Sequence, residues 1–163
     1  MIQLRRWSGS DAELLVEANK DAMTAFIAGP ESTAQVAKRH ENYLRLWDEG
    51  TARMFVVLDG DDAVGGIGWW ETDWEGRPAV ETGWFVLPRA QGRGVASAAV
   101  ALLIDDALNF APPGRDLFAF PSVENDASNA LCGRAGFELT GSANFPFRGQ
   151  DLQVNVWRFD LAR

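Results

Sequence analysis

The sequence contains almost no cysteine or histidine and no long apolar run. Among its 163 residues Cys132 is the one cysteine and His40 the one histidine, which excludes an internal disulfide and a Cys/His zinc cluster. The longest apolar run, 98–104, is far shorter than the roughly 20 residues that a membrane helix needs. The N-terminus also lacks the apolar core of a signal peptide. We therefore expect a cytoplasmic protein without a metal and without a membrane contact.

Basic residues are also scarce. Fifteen lysines and arginines stand against 23 aspartates and glutamates, so the formal charge is -8 and the isoelectric point is near 4.6. That sign excludes non-specific binding to nucleic acid, whose phosphates repel it. A negative field attracts cationic ligands such as amines or basic peptides, but many proteins are acidic for solubility alone. Both interpretations stay open at this point.

Apolar residues, by contrast, are plentiful. They make up 47% of the chain and include ten phenylalanines and seven tryptophans, enough for one substantial core. Neither an internal repeat nor a linker-like stretch divides the sequence. We expect a single folded domain over residues 1–163.

Two helices are predicted in the first third of the chain. Ser10 and Glu13 have the spacing of a capping box, and the apolar residues after them recur at helical intervals as far as Ala22. A second box, formed by serine and glutamine in 32–35, begins another helix that ends at Gly50.

Strands dominate the middle of the chain. Their apolar and β-branched segments are bounded by turn residues. A polar, turn-rich stretch, Thr72–Pro78, is expected to be a connector. The predicted strands are 2–7, 54–58, 63–70 and 79–87, the middle two forming a hairpin across a tight turn at 59–62.

The second half alternates helices and strands. The Ala- and Leu-rich stretch Val95–Phe110 is a predicted helix. Asn125 caps a short helix that reaches about Arg134 and closes at Gly136. The predicted strands are Asp116–Phe120, 137–142 and 152–159, with 144–150 as a connector. The order β-α-α-β-β-β-α-β-α-β-β predicts an α+β domain with its sheet at the centre.

A strand leads into a helix through small residues at 86–96. Such a turn exposes backbone N–H groups at a helix N-terminus, where the partial positive charge suits a phosphate. Glycines at 92 and 94 would let the phosphate approach the backbone closely. The same residues fit a tight turn whose glycines pack a helix, and so short a pattern also arises by chance. No Gly-Lys-Ser/Thr follows, as in a P-loop, and Ser97 stands where a dinucleotide fingerprint needs glycine or alanine.

The segment Gln91-Gly92-Arg93-Gly94-Val95-Ala96, between a strand and a helix, resembles the acetyl-CoA signature of the GNAT superfamily of N-acetyltransferases. A second segment is similar to the family's later pattern N-x-x-S/A-x-x-L-x-x-x-x-G-F, through Asn125, Ser128, Leu131, Gly136 and Phe137. The start of the chain and 29–32 are similar to the branch that contains ribosomal-protein N-terminal acetyltransferases. The resemblance implies a central mixed, mostly antiparallel sheet of about six or seven strands flanked by about four helices.

The resemblance also implies where acetyl-CoA, the cosubstrate, binds. Backbone groups of Trp84, Phe85 and Val86 would pair with the acetyl and pantetheine amides as an added strand would. Asn125 and Ser128 would contact the later pantetheine or the adenine end. The pyrophosphate would be bound by the turn made of Gln91, Gly92, Arg93, Gly94, Val95, Ala96 and Ser97, although an overlapping register from Arg89 also satisfies its pattern.

Glu81 is the candidate general base. A protonated amine with a pKa near 10.4 cannot attack a thioester until a base or a water relay removes a proton. The resemblance implies a catalytic carboxylate here, two residues before Gly83, where many family members keep one. An outward-facing surface glutamate is the alternative. Glu124 is near the second motif but fits a helix N-terminus, where a carboxylate is favourable.

Cys132 departs from the family pattern. It stands seven residues after Asn125, where many relatives carry the tyrosine that protonates coenzyme A, and the sole tyrosine, Tyr43, lies on the second helix. A thiol with an ordinary pKa of about 8.5 could donate that proton, but a small cysteine packed in the core is the favoured interpretation. A nucleophilic pair of Cys132 with His40 is disfavoured because nothing orients it.

Together these residues predict an N-acetyltransferase that moves an acetyl group from acetyl-CoA to a primary amine, on a small molecule or a peptide N-terminus, within a ternary complex. A non-catalytic acyl-CoA-binding regulatory module is the alternative, because the usual tyrosine is missing. A nucleotide-binding α/β protein is a second alternative. The acceptor is unassigned, and a homodimer is among the oligomeric states to be tested. Core packing explains most of the aromatic residues near the central strands, with one or two expected in the acceptor pocket: Trp69, Trp70, Trp74, Trp84, Phe145 and Phe147.

Overall fold

A seven-stranded sheet in the order β1-β2-β3-β4-β5-β7-β6 forms the framework of the computed structural model, which describes residues 1–147 and 149–162. β4 and β5 are parallel, and all other neighbours in the sheet are antiparallel. The predicted α+β class and the mixed, mostly antiparallel sheet are confirmed. The strands are β1 (Ile2–Arg6), β2 (Ala52–Asp59), β3 (Asp62–Trp74), β4 (Arg77–Val86), β5 (Asp116–Ala119), β6 (Glu138–Phe147) and β7 (Gln150–Asp160). The helices are α1 (Ala12–Ala18), α2 (Asp21–Thr24), α3 (Thr33–Glu49), α4 (Val95–Phe110) and α5 (Asp126–Arg134).

Two hydrophobic cores lie on opposite faces of this sheet. Because side chains alternate along a strand, neighbouring residues of β2 point to different faces. Phe55 and Val57 join the core beneath α4 and α5, and Met54 and Val56 join the core beneath α1 and α3. Leu103 of α4 is fully buried, which stabilises the fold by roughly 1.5–3 kcal/mol. Helices on both faces therefore hold the central strands in place.

The first predicted helix is wrong in its beginning and in its length. Ser8, two residues earlier than expected, precedes a 3-10 turn at Gly9–Asp11. The Asp11 carboxylate accepts hydrogen bonds from the Ser8 backbone N–H (2.7 Å) and hydroxyl (2.9 Å), so this pair takes the place of the predicted box. The helical residues then fall into two short helices, α1 and α2, where one had been predicted to reach Ala22.

Two predicted connectors are strands for most of their length. Residues 72–74 and 77–78 extend β3 and β4, and the turn between them consists of Glu75 and Gly76 alone. Both have positive φ, +50° and +75°, as a two-residue type I′ turn requires. Of the predicted connector 144–150, residues 144–147 belong to β6 and residue 150 to β7, and Arg148 lies outside the described residues. Pairing with a neighbouring strand outweighs the local turn-forming residues in both places.

The predicted caps of the other helices are confirmed. The Ser32 hydroxyl accepts from the Gln35 N–H (3.1 Å), while the Gln35 side chain accepts from the Ser32 N–H (2.8 Å). Gly50 ends α3 at φ +77°. α4 has the predicted bounds, Val95–Phe110, and α5 is capped by Asn125 as predicted. Within the described ranges no helix is both long and apolar enough to cross a membrane.

A charged contact ties α4 to the sheet. Asp106 of α4, 13% exposed, accepts two hydrogen bonds of 2.7 Å from the Arg53 guanidinium and one of 2.9 Å from the Trp69 indole N–H. Arg53 and Trp69 lie opposite each other on β2 and β3. Three elements are thus fixed together at one point, and Trp69 is a core residue, as expected for most of the tryptophans.

Candidate active site

β4 and β5 diverge in the middle of the sheet. They pair in parallel over 80–82 only, after which β5 ends at Ala119 while β4 continues to Val86. In the described part of the sheet, residues 83–86 of β4 therefore have a strand neighbour on the β3 side alone. A gap opens between the two strands at this point.

Backbone groups of β4 point into this gap. The Leu87 N–H donates to the Val64 carbonyl of the strand on the other side (2.8 Å), so the Val86 carbonyl, opposite in the same peptide plane, points away from β3. Alternation gives Trp84 the same direction as Val86. Phe85 was expected to share in this role, but its backbone groups face Gly66 of β3. The open side of β4 is therefore formed by Trp84 and Val86.

The glycine turn lies directly after this strand. Gly92 and Gly94 have φ of +77° and +76°, and a Cβ at either position would meet nothing within 4 Å. α4 begins at Val95, and the first N–H bonded back along the chain is that of Ala98, to the Gly94 carbonyl (3.1 Å). The N–H groups of 95–97 consequently have no acceptor within the helix. Open space and unpaired donors at a helix N-terminus fit the phosphate groups of coenzyme A.

The side chains of this turn differ in their exposure and contacts. The Gln91 amide donates to the Val86 carbonyl (2.8 Å), which ties the turn to the end of β4. The Val95 side chain is only 3% exposed and packs in the core, and Ala96 lies at the margin of that core. Arg93 is exposed, with its guanidinium 3.6 Å from Asp59, and Ser97 is also exposed. The turn thus presents its backbone together with the exposed side chains of Arg93 and Ser97, while Val95 anchors it in the core.

A cleft of about 200 Å³ joins the gap to the N-terminal end of α5. Its lining includes Glu81, Trp84, Asn125 and Ser128, four of the residues named from the sequence. The Asn125 side chain accepts from the Ser128 N–H (3.2 Å), so both residues are fixed at the start of the helix. These four side chains lie 47 positions apart in the chain at most, and the fold brings them to one cavity.

Glu81 lies in this cleft with its carboxyl largely withdrawn from water. Its neighbours across the sheet are Trp70 on β3 and Phe118 on β5. Burial raises the pKa of Glu81 to about 7, and the hydrogen bond from the Trp70 indole only partly opposes that rise. A carboxyl group of this pKa is well suited to accept and release protons near neutral pH. Glu81 is thus a half-buried residue of the cleft lining and not a fully exposed surface glutamate.

Cys132 lies below this cleft on α5. It is spaced by four residues from Ser128, so both occupy one face of the helix. Its side chain is 0% exposed and belongs to the core, and burial raises the pKa of the thiol to about 12. His40 lies across the sheet on α3, where its Nδ1 accepts from the Trp7 indole N–H (2.9 Å). The packing interpretation of Cys132 agrees with this environment, and a pair with His40 does not.

A larger cavity of about 460 Å³ lies between α3 and strands β2 and β3, with Trp70 in its lining. Its charged lining residues are Glu31, Lys38 and Arg39. Glu31 and Arg39 form an ion pair of 2.5 Å. Trp70, which lines this cavity, is also the neighbour of Glu81 across the sheet.

Sequence reasoning missed four large apolar residues that line the cleft with Glu81. They are Phe26 and Ile27 from the segment after α2, Phe120 after β5, and Leu152 of β7. No spacing rule connects residues so distant in the chain. Only the adjacency of β5 and β7, which are far apart in sequence, could have indicated that Phe120 and Leu152 line one cleft.

Comparison with family models gives a match to the acetyltransferase (GNAT) domain over residues 2–138. Comparison with curated proteins gives no match.

Solved structures share the fold at low sequence identity. RimL, a ribosomal L7/L12 alpha-N-protein acetyltransferase in complex with coenzyme A through a disulfide to one of its cysteines, is 20% identical; the match has a TM-score of 0.77 and covers 97% of this chain and 93% of that chain. An acetyl transferase from Salmonella typhimurium that modifies the N-terminal serine of L7/L12 is 22% identical, with a TM-score of 0.80 and coverage of 97% and 94%. The aminoglycoside acetyltransferase AAC(6')-Ib in complex with coenzyme A is 18% identical, with a TM-score of 0.80 and coverage of 98% and 94%.

Proposed function

Since the chain belongs to the acetyltransferase (GNAT) domain family, we propose that it transfers an acetyl group from acetyl-CoA to a primary amine on a small molecule or a peptide N-terminus. The observation that carries this proposal is the position of Glu81. A carboxyl group with a pKa raised to about 7 lies in the cleft between the diverging strands, close to a glycine turn that suits phosphates. An amine base in the cleft and an anion site on the turn that follows the same strand are what this transfer requires.

Acetyl-CoA would bind along the gap between β4 and β5. Trp84 and Val86 would offer backbone groups to its amides, and the N–H groups of 92–97 would hold the pyrophosphate. Asn125 and Ser128 would contact the later part of the pantetheine or the adenine end. The fit is supported by the empty space around Gly92 and Gly94, which any side chain would partly fill.

Glu81 would remove a proton from the acceptor ammonium, directly or through one water. The neutral amine nitrogen then forms a bond to the acetyl carbonyl carbon while the bond from that carbon to sulfur breaks. The amide nitrogen, which still carries one proton too many, loses that proton to solvent, and the departing thiolate takes a proton from solvent. Glu81 returns the proton it accepted to solvent, so one proton is released overall. Every bond and proton is accounted for without a covalent enzyme intermediate.

Cys132 is not needed as the acid of this reaction. A thiol whose pKa is raised to about 12 is a weaker acid than the thiol it would have to protonate, because the coenzyme A thiol has a pKa near that of ordinary cysteine. The bound coenzyme A in RimL is joined to a cysteine of that protein, but Cys132 has no exposed surface from which to reach a cleft. Packing is the role we assign to it.

The relatives leave the acceptor open. One is described as acetylating a ribosomal protein N-terminus and another an aminoglycoside. A single domain over 1–163, a cytoplasmic location and a homodimer are further parts of the proposal. Limited proteolysis, cell fractionation and analytical ultracentrifugation test them in turn.

The decisive experiment measures thiol release from acetyl-CoA over a panel of amines, with Glu81→Gln and Glu124→Gln as matched variants. Glu124 is exposed and outside the cleft lining, so its substitution controls for loss of one nearby charge. Glu81→Gln should lower kcat roughly 10²- to 10⁴-fold while acetyl-CoA still binds, and Glu124→Gln should stay within about threefold. Coenzyme A binding without acetylation of any amine would favour the regulatory module. Binding of NAD or ATP in place of coenzyme A would favour the nucleotide-binding alternative.

A further inference from the structure

The cleft around Glu81 has a largely apolar lining. Its large apolar side chains are those of Phe26, Ile27, Phe120 and Leu152, and Asn125 and Ser128 line it at the start of α5. Phe26 and Ile27 are both 39% exposed, although they are large apolar side chains. A contact with an apolar group would remove this surface from water.

The aromatic part of this lining is rigid. The Phe120 ring lies 4.9 Å from the ring of Trp74, 5.1 Å from Phe145 and 5.8 Å from Phe118, measured between centroids. Phe118 is only 7% exposed, so the cluster is anchored in the sheet. A ring held by three others offers a fixed surface to a ligand and loses little entropy when one binds.

Charge in the cleft contrasts with the charge of the whole protein. The molecule carries a net charge of -8, yet Glu81 is the one acidic residue among the described residues that line the cleft. In the larger cavity Glu31 is already paired with Arg39, and Lys38 adds a positive charge. A second ammonium group on the acceptor would therefore meet no free carboxylate in either cavity, and desolvation without a counter-charge is costly.

From these observations we propose that the acceptor is an amine with one cationic centre and an apolar substituent beside it, aromatic or branched aliphatic, and that polyamines and aminoglycosides are poor acceptors. The inference rests on the proposed acetyl transfer and names the substrate class for it. The ammonium group would lie at Glu81 and the substituent against Phe26, Ile27 and Phe120.

Phenylalanine amide, glycine amide and spermidine test the proposal. The first two differ only by a benzyl group next to the same amine, and the third is a polycation. With acetyl-CoA saturating, kcat/KM for phenylalanine amide should exceed that for glycine amide at least about tenfold, since a hydrophobic pocket discriminates about 10- to 200-fold per missing methylene. Spermidine should be no better than glycine amide.

Two variants locate the preference. Phe26→Ala should reduce the ratio of kcat/KM for phenylalanine amide to that for glycine amide at least about threefold, because it removes one large apolar side chain from the lining. Val16→Ala is the matched control: Val16 is a 54% exposed apolar residue of α1 outside the cleft lining, and the ratio should be unchanged. Equal kcat/KM for the two amides, or a preference for spermidine, would overturn the inference while leaving acetyl transfer in place.

A binding measurement separates this inference from the proposed function. Calorimetry on protein saturated with coenzyme A should show tighter binding of phenylalanine amide than of glycine amide, even if no amine is acetylated. If that is observed, the proposed acetyl transfer is wrong and the proposed apolar amine site is supported. Equal affinity for both amides, or no binding of either, contradicts the site itself.

Discussion

Glu81 shows how a single residue acquires its chemistry from its surroundings. On an exposed strand it would titrate near pH 4.5, but burial between β3 and β5 raises its pKa to about 7. The carboxylate that acts as a base is then formed only as the pH rises through about 7. The acid limb of kcat/KM should accordingly lie near that pH.

The same shift predicts a pH dependence of stability. Between pH 4.5 and about 7 the folded protein binds a proton at Glu81 more tightly than the unfolded chain, so the free energy of unfolding falls as the pH rises through this range. The Glu81→Gln variant has no titrating group at this position, so its free energy of unfolding does not fall for this reason. Relative to the wild type it should gain up to about 3 kcal/mol in unfolding free energy between pH 5 and pH 8, measured by urea denaturation. A constant difference across that range would mean that Glu81 titrates normally.

Cys132 is predicted to act through packing alone. Cys132→Ala should leave kcat within about threefold and lower stability by roughly 1 kcal/mol, as for a small truncation in a core. Cys132→Ser keeps the shape and should also leave kcat within threefold. In the native protein the thiol should react slowly with Ellman's reagent, because it is buried and its pKa is raised to about 12.

The result that contradicts the packing role of Cys132 is specific. Both substitutions would lower kcat about a hundredfold without a change in acetyl-CoA affinity, and the alkaline limb of the pH profile would disappear. Cys132 would then be the acid that protonates coenzyme A.

At the scale of elements, the turn from β4 to α4 depends on its backbone. We predict that Gly94→Glu abolishes coenzyme A binding, because it adds bulk and negative charge among the N–H donors of 92–97. Gly114→Glu is the matched control. Gly114 has the same φ of +76° and the same empty surroundings, in the turn before β5.

Both glutamates would adopt the left-handed backbone region, so both variants should lose about 1–2 kcal/mol of stability. Calorimetry should then show wild-type coenzyme A affinity for Gly114→Glu and none for Gly94→Glu. Retention of affinity in folded Gly94→Glu would remove the turn from the coenzyme A site.

At the scale of the whole molecule, the two substrates are expected to meet in one cleft. Acetyl-CoA would lie between the diverging strands, and the amine would reach Glu81 along the side chains of Phe26, Ile27 and Phe120. The one cysteine is buried, so no thiol is available to carry the acetyl group. Initial-rate plots against both substrates should therefore intersect, and the mass of the enzyme after exposure to acetyl-CoA alone should be unchanged. Parallel plots with an acetylated protein would contradict direct transfer.

The sequence by itself determined the features that depend on neighbours along the chain. The bounds of α4 were predicted from its Ala- and Leu-rich composition and the prolines that follow it, and the Asn125 cap and the box at Ser32 from residues about three positions apart. All of these signals are local in the sequence. The glycine turn after β4 was predicted for the same reason. Even here, Ser8 and Asp11 prevailed over the equally spaced Ser10 and Glu13. Asp11 also forms an ion pair with Arg5 of β1, a contact that spacing does not reveal.

Only the tertiary structure decided the rest. Residues 72–74, 77–78 and 144–147 are strands because each has a paired neighbour, and a hydrogen-bonded partner across a sheet lies beyond any local pattern. The placement of β7 between β5 and β6 brings Leu152 to the same cleft as Phe26, from opposite ends of the chain. The pKa of Glu81 follows from the same packing. Desolvation is the sum of what surrounds a group, and the sequence around Glu81 does not contain Trp70 or Phe118 as neighbours.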